Sequence, residues 1–91
     1  MNTDLGPARA AQIRQRLEAA LAPSVLEVTD ESHLHRGHAG ARSGKGHFRV
    51  RIAAPALHGK SRLAAHRLVY GALGELFETD IHALSVEIAE S

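Results

Sequence analysis

His47-Phe48-Arg49-Val50-Arg51-Ile52-Ala53 alternates apolar and polar side chains at a period of two. Successive side chains of a strand point to opposite faces, so Phe48, Val50 and Ile52 share one face and Arg49 and Arg51 the other. One face must be covered by apolar partners, and the other meets water. The stretch therefore predicts a strand over His47 to Ala53 in a sheet with one covered side. Downstream, Pro55 breaks the strand, and Gly59 and Lys60 end a turn. Ser61 is the expected N-cap of a helix running to about Phe77. On that helix Ala65, Val69, Ala72, Leu73 and Leu76 form one apolar arc. Gly71 and Gly74 weaken it by roughly 1 kcal/mol each relative to alanine. Ile81 to Ile88 follows as a third strand, with His82, Leu84, Val86 and Ile88 expected on one inward face.

Upstream, Pro7 to Ala22 has helical period. Ala10, Ile13, Leu17, Ala20 and Leu21 line one side, with Arg9, Gln12, Gln15, Arg16 and Glu18 elsewhere. Thr3 or Asp4 can cap its start, and Pro23 ends it. Ser24 to Asp30 predicts a strand with Leu26 and Val28 inward. His33 to Gly46 predicts a loop, since Gly37, Gly40, Gly44 and Gly46 interrupt it and no apolar period runs through it. The order is α-β-β-α-β. A strand–helix–strand crossover favours a parallel, right-handed pairing, whereas the first two strands pair antiparallel. The expectation is an α+β domain: a three-stranded mixed sheet with both helices on one face. Val69, Leu73, Leu84 and Val86 are expected to be buried together, covered by Ile13 and Leu17.

Ninety-one residues make a single domain spanning 1–91. Aromatic residues are 3%, so Leu, Val, Ile and Ala must build the core. The net charge of +1 carries no strong global bias towards nucleic acid. Basic residues nonetheless gather in the middle of the chain and acidic ones in the last quarter. No apolar run approaches the ~20 residues of a membrane span. With no signal-peptide core either, a cytoplasmic protein is the expectation.

Seven histidines and no cysteine set the chemistry. A metal bound here must take imidazole from this chain, or thiolate from a partner. His33, His35 and His38 sit in the glycine-rich loop, and His47 follows it. His33 and His35 are two apart, so they point the same way in an extended segment. His82 opens a strand, where it is either a ligand or a histidine at the edge of the core. His66 reads as a structural histidine beside Tyr70 and Leu73. Gly40 to Gly46 lacks the spacing of a phosphate loop and the Ser or Thr after Lys45, and it leads into a strand. Gly37-His38-Ala39-Gly40 spells the GxxG of KH domains but joins strands rather than helices. No nucleophilic cysteine and no carboxylate pair at recognisable spacing is present, so an enzyme and a small-molecule substrate are not expected. Lys60, Arg62 and Arg67, near the start of the second helix, suit phosphate contacts to DNA.

Five segments together resemble the BolA family. They are Leu26-Glu27-Val28-Thr29-Asp30-Glu31-Ser32-His33-Leu34-His35, His47-Phe48-Arg49-Val50, Gly59-Lys60-Ser61, His66-Arg67-Leu68-Val69-Tyr70 and Ile81-His82-Ala83-Leu84. They span nearly the whole chain in the family's order. Leu57 stands where the family usually has an aromatic, and Ala65 where it usually has the first arginine of Arg-His-Arg. The resemblance implies a fold like the class II KH domain. It implies a partner, a monothiol glutaredoxin of the CGFS type, and a bridging [2Fe–2S] cluster shared with that glutaredoxin and a bound glutathione. In the histidine-loop subgroup the ligands from this chain map onto His35 and His82, with His33, His38 and His47 as further imidazoles in reach. The resemblance also implies DNA-binding transcription regulation tied to stress.

Overall fold

The computed structural model describes residues 6–31 and 46–89. The expected cap at Thr3 or Asp4, the basic residues 36–45 and the loop histidines His33, His35 and His38 lie outside the described residues.

Helix α1 runs Gly6–Leu21. It ends where Ala22 takes a positive φ of 47°, just before Pro23, with the Ala22 N–H donating to the Glu18 carbonyl at 3.1 Å. Strand β1 is Val25–Asp30 and β2 is Gly46–Ala53. They pair antiparallel, with Val28 opposite Val50. A short 3-10 turn at Pro55–Leu57 puts Leu57 into the core. Gly59 then takes φ 73°, a conformation that only glycine holds without strain, and turns the chain into α2, Arg62–Leu73. Ser61 caps α2 as the sequence implies: its hydroxyl accepts from the Ala64 N–H at 3.1 Å. Strand β3, Ile81–Ile88, lies parallel to β2, giving the sheet order β1-β2-β3. The mixed three-stranded sheet and the α+β class are as expected.

The core lies between the helices and one face of the sheet. Phe48, Val50 and Ile52 of the central strand are fully enclosed among Ile13, Leu17, Val69 and Leu73. Leu26 and Val28 pack against this cluster from β1 and are only half-buried, as edge-strand residues are. Leu84 and Val86 do the same from β3, so the expectation that they are buried as deeply as Val69 and Leu73 is corrected. Fully burying side chains of this size contributes about 1.5–3 kcal/mol each, so the central strand and the two helix stripes carry most of the stabilisation. The opposite face of the sheet is an ion-pair lattice. Arg51 meets both Glu27 and Glu87, and Arg49 meets Glu87.

Two further sequence expectations are corrected. The second helix does not continue to Phe77. Gly74 takes φ 44° and ψ −116°, its N–H donates to the Tyr70 carbonyl, and a separate short helix α3 covers Leu76–Thr79. The apolar arc hides this break, because Leu76 still reaches the core after the kink. The second correction concerns His82, which does not share the inward face of Leu84, Val86 and Ile88.

Candidate functional site

The register of β3 against β2 shifts once. Gly46 pairs with Ile81, but His47 pairs with Ala83, so His82 is the extra residue of a β-bulge. The Gly46 N–H bonds back to the Asp80 carbonyl at 2.8 Å, which anchors the strand just before the bulge. A bulge resets the alternation of side chains. Ile81 is therefore buried, His82 and Ala83 are both exposed, and the inward series resumes at Leu84. Strict period-two reading had no means of seeing the inserted residue.

The His82 ring lies against the ring of His47, with centroids 5.2 Å apart and planes tilted by 49°. His47 is only 8% exposed, whereas His82 faces solvent. Among the described residues none hydrogen-bonds the His82 ring. The arrangement is a solvent-facing imidazole on bonded strand backbone, backed by a second imidazole that is enclosed. The structure thus brings together two of the histidines singled out by sequence. The signal is that parallel neighbours each carrying a histidine at their second residue place those residues close together.

Among the described residues no group of three or more His, Cys, Asp or Glu is placed to hold a metal ion, so any ligation by His82 would need donors from elsewhere. His82 presents a borderline nitrogen ligand with open access. Its bulged backbone is fixed at both sides, at Asp80 and through the Ala83–His47 pairing.

The basic residues form a separate feature. Lys60 and Arg62 line a groove between the start of α2 and the outer edge of β3, together with His66, Val86 and Ile88. Among the described residues Lys60, Arg62 and Arg67 have no ion pair. Arg67 is exposed on another side of α2 and does not line this groove, so the three cations expected to act together are split. His66 is half-buried in the groove wall rather than held in the core beside Leu73. The histidine pair and the cationic groove share no residue: along β3 the groove begins at Ser85, about 10 Å from His82 at ~3.3 Å per residue, and runs to Ile88.

The BolA-like protein family model matches residues 17–90. The chain belongs to the BolA-like family. It is 43% identical over 83 residues to human BolA-like protein 1, covering 91% of this chain and 58% of that one. It is 39% identical over 75 residues to the DNA-binding transcriptional regulator BolA of Escherichia coli strain K12, covering 82% of this chain and 69% of that one. The solved BolA domain of SufE1 from Arabidopsis thaliana superposes with a TM-score of 0.79 at 39% identity, covering 91% of this chain and 92% of that one. The chain spans only part of several relatives: 58% of the human protein and 22% of SufE-like protein 1 of Arabidopsis thaliana, described as chloroplastic/mitochondrial. Relatives thus include organellar proteins. Among the described residues no helix is long and apolar enough to cross a membrane.

Proposed function

We propose that this BolA-like chain docks a monothiol glutaredoxin of the CGFS type and adds imidazole ligation to a bridging [2Fe–2S] cluster, acting as a non-enzymatic regulator of iron–sulfur and iron-redox status in the cytoplasm. The observation that carries this reading is His82, exposed on a bulge of β3 and backed by the His47 ring. A bound cluster supplies one-electron redox chemistry, at a potential raised by imidazole ligation. The chain's own part is positional. The bulge turns His82 outward, and neighbouring backbone bonds at 80 and 83 keep it there. The enclosed His47 limits the directions the His82 ring can take. In the histidine-loop reading the second imidazole comes from His35, with His33, His38 and His47 as the other sources.

The test is titration with cluster-loaded glutaredoxin, followed by visible absorption and circular dichroism. A spectrum distinct from that of the glutaredoxin alone supports the reading, and an unaltered spectrum at saturating protein overturns it.

DNA binding is the second reading. It is favoured by Lys60 and Arg62 lining one groove without ion pairs among the described residues, and by the name of the Escherichia coli relative. The two surfaces share no residue, so one does not exclude the other. The salt dependence of oligonucleotide binding tests this reading.

A further inference from the structure

Among the described residues the outer edge of β3 is unpaired over its second half. The Ala89 N–H donates to the Ile52 carbonyl at 2.7 Å, and the Gly46 N–H donates to the Asp80 carbonyl at 2.8 Å. Backbone groups of successive strand residues point alternately to the two sides of the strand. That parity turns the groups of Ser85 and Glu87 toward β2, and those of Leu84, Val86 and Ile88 out to the edge. One of the outward groups is capped, since the Tyr70 hydroxyl donates to the Leu84 carbonyl at 3.3 Å. Val86 and Ile88 keep their outward N–H and C=O groups, and both residues line the cationic groove. An unpaired edge of this kind is a template for another strand.

The wall of the groove is a single stripe. Arg62, His66 and Tyr70 recur every four residues along α2 and so lie above one another. Tyr70 lies beyond the lining residues and bonds Leu84, while Arg62 and His66 line the groove with Val86 and Ile88, and Lys60 beside them. Glu87 is the one acid among the lining residues, and it is engaged by Arg49, which also lines the groove, at 3.2 Å and by Arg51 at 3.5 Å. The groove therefore offers alternating backbone donors and acceptors below uncompensated positive charge.

We infer that the β3 edge captures an extended acidic segment of a partner protein as a fourth strand, with its carboxylates turned toward Arg62, His66 and Lys60. A peptide backbone supplies both donors and acceptors in the needed alternation. A phosphodiester backbone supplies acceptors alone and leaves the Val86 and Ile88 carbonyls unmatched. Tyr70, next along the same stripe, offers no free face to a base, because it is stacked on Phe77 at 4.9 Å and tied to Leu84. The inference does not rest on the cluster-ligand reading, since neither His82 nor His47 lines the groove.

The probe is a capped eight-residue peptide of alternating Glu and Thr, titrated into the full 15N-labelled chain. Saturable shifts at the Val86 and Ile88 amides, with slowed exchange of both, are expected. Two further peptides carry N-methyl groups on the Glu residues alone or on the Thr residues alone. Only one set of amides faces β3 in a given orientation, so one methylated peptide should lose binding and the other keep it. Two methylated peptides that behave alike overturn the proposal. Arg62→Glu should weaken the unmethylated peptide about tenfold, the scale of one lost charge-assisted bond, while circular dichroism stays native. Unchanged affinity in that variant overturns the acidic specificity. A single-stranded oligonucleotide that shifts these amides where the peptide does not assigns the groove to nucleic acid and overturns the proposal.

Discussion

Replacing Gly71 and Gly74 by alanine, one at a time, should move stability in opposite directions. The two glycines sit three residues apart at the end of α2, and the substitution is chemically identical. At Gly71 an added Cβ meets nothing within 4 Å and the backbone is helical. Alanine there gains intrinsic helix propensity and restricts the unfolded chain, which is worth about 0.5–1 kcal/mol of stabilisation. At Gly74 the nearest atom to an added Cβ is the Gly71 carbonyl oxygen at 3.7 Å, an ordinary contact, so space is not the obstacle. The backbone is: φ 44° with ψ −116° is a conformation essentially reserved for glycine. Holding alanine there costs about 1–3 kcal/mol. The relevant assay is urea unfolding of both variants beside the parent. With a slope of about 2 kcal/mol per molar, the midpoints should separate by roughly 1–2 M, Gly71→Ala higher than the parent and Gly74→Ala lower. Shifts of the same sign would refute the account of how α2 ends, and a neutral Gly74→Ala would mean that α2 runs on towards Phe77.

Leu73 is fully enclosed, so Leu73→Ala should cost about 2–5 kcal/mol in the same assay, a large part of the stability of so small a domain. A cost below 1 kcal/mol would misplace the inner face of α2. Arg9 and Asp80 join the start of α1 to the start of β3 at 3.0 Å, with exposures of 16% and 20%. A double-mutant cycle of Arg9→Ala and Asp80→Asn should give a coupling of about 1–2 kcal/mol, whereas the exposed pair Arg16–Glu75 should give under ~1. For DNA, Lys60→Ala and Arg62→Ala should each flatten the log–log salt slope by about 0.9, the increment of one released counterion. Arg67→Ala, set on another side of α2, should change it less than either. Equal slopes for all three variants would detach the groove from any DNA contact.

Periodicity made most of this fold legible. Phe48, Val50 and Ile52 reveal a central strand because its two faces differ in kind, and Ser61 and Pro55 mark boundaries through backbone chemistry that acts locally. What escaped depends on single residues whose effect is conformational. Gly74 leaves no trace in an apolar arc that remains in phase across the kink. The bulge at His82 is a property of two strands at once, visible only when β3 is laid against β2. The family resemblance points to His82 as a ligand, but the outward orientation of His82 comes from the inserted residue. The companion role of His47 needed the parallel register. The groove at the β3 edge joins residues 20 or more apart in sequence, and its character comes from which backbone groups face outward, about which side-chain pattern says nothing.

The most direct test of the central claim is the spectrum of the cluster-loaded heterodimer formed with His82→Ala. His82 is held by bonded strand backbone, whereas the sequence around His35 is glycine-rich, and glycine loses more conformational freedom on being fixed than any other residue. The ligands should therefore be unequal. His82→Ala should abolish the heterodimer's visible circular dichroism or leave it labile, His35→Ala should perturb it in part, and both variants should still form the apo-complex with glutaredoxin. A cluster spectrum and lifetime in His82→Ala identical to those of the parent would contradict imidazole ligation from this strand.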